Sequence, residues 1–505
     1  MAVLAPFVDA VGGSQVRSRR RTGGPSAVLF PEDEYDQMQV ERILKSLEDG
    51  SVPSAASDIE ELMRSLLQAA GNHRGGGALR ARPLAAHLEQ NPEFLTETLP
   101  FMASVARHLR DLFPQGLPHL SPSNSATHLR RIQVYALLSA SFFGIIPHGQ
   151  RDLLSDWGNL RLNALDMHHR GFFERAPKFQ ALLAYFGAMH KRMGSCWMQM
   201  LERNDFSEAK CPSTCLCQEG RTLDIAPVDE KISFYLHTPE PTTFTGPKGE
   251  QVSRDKVDVD EMITQPIPLT KLVVQLDGDI TKSDGNLQVD FADQFVGGLA
   301  MFRDHVAQEE LLFTLRPEML AVMLITAALK DHEAIVIKEG CHWSVHGRTP
   351  VDHMGRRETT VVAIDALELK HDRQRQYTTK NLKREILKAA LGFQGDPFED
   401  TLPGTRAGVA TGKWGCEIFG GNTQLKTLLQ WISSSGCGRD MYFMGFNDKR
   451  LAGMEKKLSE IGKRFPTTKD LFDAIVRCIE QTGGRPSREW SLWDSLLKLE
   501  PTTSH

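Results

Sequence analysis

The sequence predicts an α/β fold: a sheet between helical layers, preceded by a helical accessory region at the N-terminal side. Three observations predict it. Beyond residue 266, short β-branched runs alternate with longer helical stretches, the pattern of a sheet covered by helices on both faces. Up to about residue 190 the apolar residues recur at helical spacing. Within 288–310, QVDFADQFVGGLAMFRDHVAQEE, a β-like run ends in an aspartate and is followed by Gly-Gly and then adjacent carboxylates. Sheets of this class hold ligands at the carboxyl ends of their strands, where such a turn would lie.

The elements follow in order. Residues 1–55 read as a loop-like, basic N-terminal arm, rich in Gly, Pro and Ser with an acidic PEDE. Ser57 opens a helix, with Glu60 three residues on as a capping box. Ile59, Leu62, Met63, Leu66 and Leu67 give that helix its apolar face. Two further helices are predicted over 93–113 and 127–143, the second apolar enough to be buried, so 56–192 forms the accessory region. Residues 193–265 are polar and Pro-rich and read as an insertion with one strand, 231–236. The main domain, 266–490, carries strands at 272–276, 287–291, 334–337, 360–364 and 441–446. Its helices are predicted at 309–329, 381–391, 423–433 and 469–481, and 491–505 is left as a tail.

Composition narrows the function classes. The chain has 505 residues, 24% charged and 41% hydrophobic, which suits a soluble globular protein of one to three domains. No apolar run approaches the roughly 20 residues needed to cross a bilayer. The net charge of −5 argues against a surface that grips a polyanion throughout, so any such contact is local to a cleft. Eight cysteines in so long a chain do not make a disulfide framework, and a reducing compartment is the simpler expectation. The CPSTCLC cluster at 211–217 lacks a His/Cys partner at finger-like spacing. The basic cluster at 17–21 reads equally as a nuclear import signal, part of an organelle presequence or a solvated arm.

Three places carry the chemistry. The first is Gln308-Glu309-Glu310. Adjacent residues on a helix do not face each other, so the two carboxylates have different tasks. The reaction that suits them is acetal cleavage through an oxocarbenium-like state, which needs a general acid at the leaving oxygen. A helix N-terminus lowers a carboxylate's pKa and burial raises it, so the acid is the one for which burial wins. Taken without its upstream residues, the same triplet is an ordinary solvated first helical turn. The second is the loop at 412–421, GKWGCEIFGG, whose backbone N–H groups can meet phosphate ahead of a helix. Glu417 sits in its middle, so either that side chain turns outward or the loop does not hold a diphosphate in the usual way. The third is Ile280 with Phe446, each just after a predicted strand, either sandwiching a flat base or simply packing in the core.

Residues from about 93 to 478 resemble the helical accessory and catalytic regions of the eukaryotic poly(ADP-ribose) glycohydrolases. PIPLTKLVV at 266–274, QVDFADQFVGG, QEELLFTLRPEML, VVAIDAL at 361–367 and ATGKWGCEIFGG at 410–421 each match a family block, in the family's order. The resemblance implies a macrodomain, a mixed sheet between helical layers, with the helical region ahead of it. It implies Glu310 as general acid at the ribose–ribose linkage, Glu309 on ribose hydroxyls, and Asp290 as support for the catalytic loop. Gln308 and Ile280 would meet the adenine, Phe446 the adenosine, and Phe291 and Phe419 the ribose. Gly297, Gly298 and the 415–420 loop, with Gly415, Cys416 and Gly420, would receive the diphosphate. Asp293 also falls in the substrate set. Partners implied are poly(ADP-ribose) and ADP-ribosylated proteins, with no direct nucleic acid and no membrane, for a monomer in the nucleus or cytoplasm. The resemblance implies no cofactor and no metal.

The chain departs from the family pattern at several of these positions. Leu299 stands where the signature has a third glycine, Asp293 where the family usually has Asn, Glu417 in place of a glycine, and Thr281 in place of an acidic residue. The family's ligand-covering tyrosine has no clear counterpart; Arg348 falls nearby, with Trp343 and His346. Two other readings therefore stand beside the glycohydrolase: a weakened or inactive ADP-ribose-binding scaffold, and a hydrolase of protein-linked mono-ADP-ribose.

Overall fold

The alternation of β-branched runs and helices produces a mixed eight-stranded sheet in the computed structural model. The structure describes residues 34–51, 53, 56–70, 91–146, 177–207, 227–297, 300, 307–339, 359–399 and 406–500. Its strands are β1 (Ala126–Arg130), β2 (Lys231–His237), β3 (Thr242–Thr245), β4 (Gln251–Arg254), β5 (Leu272–Gln275), β6 (Leu287–Asp290), β7 (Ala334–Glu339), β8 (Thr359–Ala363), β9 (Val409–Thr411) and β10 (Met441–Met444). The order across the sheet is β1-β2-β7-β8-β6-β9-β10-β5, with β3 and β4 forming a separate hairpin. From β8 to β5 every neighbouring pair is parallel. From β1 to β8 every pair is antiparallel.

Alternation along each strand divides the interior into two cores. Ile335 and Ile337 of β7, with Val361 and Ala363 of β8, join the helical N-terminal region. Val336, Val362, Leu287 and Val289 face the opposite way, onto the helices Thr379–Phe393 and Thr423–Gly436. The two-residue period of a strand dictates this. Strands buried on both faces read as continuous apolar runs, which is why β7, β8 and β10 stood out. On β6 the same alternation turns Gln288 and Asp290 away from Leu287 and Val289, toward the face covered by Leu312 and Phe313.

Several elements differ from the sequence expectation. Residues 34–48 are a helix, Glu34–Glu48, with Val40, Leu44 and Leu47 buried, so the N-terminal arm is not loop throughout 1–55. The helix expected over 127–143 begins at Arg131, because 126–130 forms β1 against β2. Gln133 Oε1 accepts from the Arg130 backbone N–H at 2.8 Å and fixes that switch. The described parts of 193–265 belong to the fold: the helix Pro177–Arg203 runs into the stretch read as an insertion, and its strand, β2, lies between β1 and β7 in the main sheet. The helix expected over 309–329 stops at Leu315, because Pro317 cannot continue it. A 3₁₀ turn, Pro317–Ala321, and a short helix, Val322–Ile325, follow. The tail contains the helix Leu492–Lys498, with Leu492, Trp493 and Leu496 buried. A helix Ala56–Ala69 forms as expected, although the side chains of Ser57 and Glu60 lie outside the described residues. The basic cluster at 17–21 and the cysteines at 211–217 lie outside them too. Among the described residues, no helix is long and apolar enough to cross a membrane.

The accessory helices are tied to the catalytic face by buried charge. Arg131 Nε donates to Glu318 Oε1 at 2.7 Å and also pairs with Glu230, which Arg192 holds at 2.7 Å. Tyr185 donates its hydroxyl to Glu318 at 3.3 Å. Glu318 sits just past the helix Gln308–Leu315, so this cluster fixes where that helix ends.

Candidate active site

Five adjacent parallel strands, β8, β6, β9, β10 and β5, end at one edge of the sheet. Ligands in open α/β sheets bind beyond the carboxyl ends of such strands. Asp290 is the last residue of β6, with Phe291, Asp293 and Gly297 following it. Ile280 follows β5, the loop containing Gly415, Cys416, Phe419 and Gly420 follows β9, and Phe446 follows β10. The first turn of the helix Gln308–Leu315 brings Gln308, Glu309 and Glu310 to the end of β6. Gly298 and Leu299 lie outside the described residues, as do Trp343, His346 and Arg348.

Gln308 makes that junction. Its Nε2 donates to the Val289 carbonyl at 2.8 Å, and its Oε1 accepts from the Phe291 N–H at 2.8 Å. The side chain thus stitches the helix start to the strand end, which leaves one amide hydrogen for a ligand. The two glutamates then diverge, as adjacent helical residues must. Glu309 turns to the strand loop, where its Oε1 accepts from the Gly297 N–H at 2.6 Å and its Oε2 from the Asp293 N–H at 3.4 Å. Glu310 turns back on the helix start and accepts from the Ala307 N–H at 3.0 Å. Both are buried, so the solvated-turn alternative does not hold. Gly297 has φ +74, and a Cβ there would meet the Phe313 ring at 2.7 Å, so only glycine brings this amide to Glu309.

Asp290 completes an acidic group. It is fully buried, and neither carboxylate oxygen has a hydrogen-bond partner among the described residues. Burial raises its pKa well above the ordinary carboxylate value, and the neighbouring Glu310 raises it further, while Arg316 opposes. Glu309 is likewise raised well above its ordinary value, by burial and then by Asp290, against the Gly297 N–H. Asp290 and Glu309 therefore hold their protons more tightly than exposed carboxyls do. Asp293 is raised by burial, and its Oδ1 is occupied by the Phe295 N–H at 3.0 Å.

A carboxyl whose folded pKa is raised binds more protons folded than unfolded between the two values. Stability then falls as pH rises through that window. Asp290→Asn is expected to raise stability at pH 7 by on the order of 1 kcal/mol. The gain should fade as pH falls toward the ordinary carboxylate range, where wild type and variant converge. Thermal unfolding as a function of pH reads it; a variant less stable than wild type at pH 7 contradicts it.

The loop after β9 is built around glycine. Gly415 and Gly420 have φ +70 and +80, conformations that L side chains avoid. Beneath them Trp414 is fully buried and donates Nε1–H to the Ile364 carbonyl at 2.9 Å. Lys426 lies 4.0 Å from the Trp414 ring centroid and pairs with Glu385, whose Oε1 also accepts from the Leu367 N–H at 3.2 Å. Burial and then the Arg384 charge push the Lys426 pKa well down, and Asp365 opposes them. Asn422 caps the helix Thr423–Gly436 by accepting from the Leu425 N–H at 3.0 Å. The loop thus leads into the N-terminus of a 14-residue helix, the end that favours an anion. Burial pushes the Cys416 thiol up to about 12, so it is a neutral group here. Phe419 is half-buried, with Lys370 5.8 Å from its ring centroid. Glu417 turns outward: its side chain is 62% exposed and pairs with Lys413.

Past β10, Phe446 and Asn447 both adopt positive φ, +50 and +56. Asparagine tolerates this conformation; phenylalanine in it carries strain. The turn is held by Asn447 N–H to the Leu276 carbonyl at 2.7 Å, and Phe446 remains 39% exposed. A strained, exposed aromatic at a strand end suits a stacking platform. Ile280, by contrast, is fully buried against Ala410 and Met444, so it is a core residue, the second of the two roles the sequence left open. The Thr281 hydroxyl is occupied by Asp279 Oδ1 at 2.8 Å. Phe446→Gly is expected to relieve about 1 kcal/mol of backbone strain. The same variant should lose about tenfold in affinity for an adenine nucleotide, the scale of one aromatic contact. Unfolding and calorimetric titration measure the two effects separately; unchanged affinity contradicts the platform role.

Sequence reading missed Arg316, Lys413 and Asp448. Arg316 is buried, and its Nη2 donates to Gln288 Oε1 at 2.7 Å, two residues before Asp290 on the same face of β6. Nothing local marked it, since its partner is 28 residues away. Lys413 stood inside the glycine loop, where its sign was the available signal.

Comparison with known proteins points to one family. Residues 259–453 match the family model described as poly (ADP-ribose) glycohydrolase, macro domain fold, and residues 87–202 match its helical domain. Together the two models cover more than half of the chain. The chain is 26% identical over 450 residues to "Probable poly(ADP-ribose) glycohydrolase 2" of Arabidopsis thaliana, covering 79% of this chain and 77% of that protein. It is 28% identical to poly(ADP-ribose) glycohydrolase 1 of Caenorhabditis elegans, over 50% of this chain and 33% of the worm protein. Poly(ADP-ribose) glycohydrolase 2 of the same worm is 32% identical over 34% of this chain and 39% of its own length. The chain thus spans about three quarters of the plant relative but less than half of either worm protein.

Proposed function

The chain belongs to the poly(ADP-ribose) glycohydrolase family, and on that premise we propose that it hydrolyses the ribose–ribose O-glycosidic bonds of poly(ADP-ribose), releasing ADP-ribose. The observation that carries the reading is the meeting, at the ends of adjacent strands β6 and β9, of a buried acidic trio and a glycine loop that leads into a helix N-terminus. One suits a sugar acetal, the other a diphosphate.

In this reading Glu310 gives its proton to the linking oxygen as the bond to the anomeric carbon breaks. An oxocarbenium-like sugar is left, water adds to it, and Glu310 recovers a proton from that water. Glu309 is held rigidly by two backbone amides and suits orientation of ribose hydroxyls. Asp290 and Glu309 beside it hold their protons more tightly through burial and mutual repulsion. The 415–420 loop holds the diphosphate, and Phe446 stacks on the adenosine. ADP-ribosylated proteins are the partners this chemistry calls for. Cys416, Cys437 and Cys478 are free thiols, which fits a reducing compartment, nucleus or cytoplasm.

The test is incubation of the purified protein with poly(ADP-ribose) and, separately, with mono-ADP-ribosylated protein, followed by measurement of free ADP-ribose. Release from the polymer supports the proposal. Release from the mono-modified protein alone makes the enzyme a hydrolase of that linkage instead, and binding without release makes it a scaffold.

A further inference from the structure

Glu417 places a carboxylate in a loop proposed to receive an anion, and its surroundings answer it. Lys413 Nζ donates to Glu417 Oε1 and, at 3.0 Å, to Asp448 Oδ2. Arg450 Nη2 donates to Asp448 Oδ2 at 2.6 Å and lies 3.6 Å from Glu417. Two acids and two bases sum to zero charge. Lys413 and Glu417 belong to the loop after β9; Asp448 and Arg450 belong to the turn after β10 that presents Phe446. Exposure separates their roles: the Glu417 and Arg450 side chains are 62% and 77% exposed, that of Lys413 only 14%. Lys413 is thus the member held between the two loops, and the pair with Asp448 is the link it makes across them.

We infer that Lys413 is a positioning residue for the ADP-ribosyl ligand: it ties the diphosphate loop to the Phe446 turn and neutralises Glu417, so that a loop carrying a carboxylate still accepts a diphosphate. This rests on the functional reading above and adds a residue to it. Burial alone would lower the Lys413 pKa, but the hydrogen bonds it donates to Glu417 and Asp448 outweigh it and raise the value. Without that charge, the diphosphate loop and the Phe446 turn would carry Glu417 and Asp448 with only Arg450, at the rim, against them, a net negative charge beside an anionic ligand. Like charges brought together across a partly buried surface are poorly screened.

The experiment is a calorimetric titration of the full chain with ADP-ribose for wild type, Lys413→Met, Glu417→Gln and the double variant, with thermal unfolding of each. Lys413→Met is expected to weaken binding about tenfold, and the double variant to recover about half of that loss on a logarithmic scale, to about threefold of wild type, since the Glu417 charge is removed while the link to Asp448 stays broken. Glu417→Gln alone should stay within about twofold, because its charge is already neutralised. A merely structural lysine would lower binding equally in Lys413→Met and in the double variant, and that result overturns the inference. So does wild-type affinity in Lys413→Met. Should Lys413→Met not fold, Glu417→Gln decides: its residue is exposed, and a tightening beyond about fivefold would mean that the carboxylate was never neutralised. Wild type failing to bind ADP-ribose is a separate result that overturns the functional reading and this inference with it.

Discussion

Glu310→Gln is expected to lower the rate of ADP-ribose release by about 10²–10⁴-fold, the contribution of a positioned general acid. The substitution is nearly isosteric. A glutamine carbonyl can still accept from the Ala307 N–H, as Glu310 does at 3.0 Å, so the helix start should survive. What disappears is the proton for the leaving oxygen. Affinity for ADP-ribose should remain near wild type, because the diphosphate is assigned to another strand's loop. The loss therefore falls on kcat and leaves KM almost unchanged. Single-turnover release from poly(ADP-ribose) reads it. Glu309→Gln is the informative companion. Its carboxylate is held by Gly297 and Asp293 amides, so the variant keeps its geometry, and a smaller loss than for Glu310 would assign it to orientation.

Gly415→Ala is expected to cost about 10²-fold in ADP-ribose affinity, the scale of a misplacement near 1 Å. Two effects combine. Gly415 has φ +70, where an L residue carries roughly 1–2 kcal/mol of strain. A Cβ there would also run into the Ala366 Cβ, which sits three residues past β8 and, as a Cβ, is not the tip of a flexible chain that could swing aside. The loop has to move, and its amides move with it. Gly420→Ala is the control, with φ +80 but nothing closer to its Cβ than Arg373 Nε at 3.5 Å. It should show the strain without the displacement, and a much smaller loss. Calorimetric titration compares the two, and equal losses would mean that the clash with Ala366 is absorbed elsewhere.

Much of the sheet was legible because its strands are buried on both faces and so appear as apolar runs. β1 and β9 escaped for opposite reasons. Thr127 and His128 make β1 look polar, and its neighbour Arg131 starts a strongly apolar helix that absorbs it in any window. β9 has three residues, too few to show a period. The helix Glu34–Glu48 was hidden by the loop-forming composition around it, although Val40, Leu44 and Leu47 follow helical spacing. Of the site, the contiguous parts were readable: the Asp290 strand end, Gly297, the Gln308-Glu309-Glu310 turn and the 412–421 loop. The long-range parts were not. Arg316 reaching Gln288, Lys413 reaching Asp448, and Lys426 under Trp414 are contacts between elements that no local pattern announces. Ile280 was ambiguous because an aliphatic residue after a strand looks the same whether it meets a base or Ala410 and Met444.

The central claim is that the acidic turn beyond β6 and the glycine loop beyond β9 address one ligand. Amide hydrogen exchange with and without ADP-ribose tests it most directly. The account predicts slowed exchange, on adding ADP-ribose, in the 412–421 loop and in 291–297 together, with the same concentration dependence. Protection confined to one of the two, or the absence of any in a protein that binds ADP-ribose elsewhere, would contradict it.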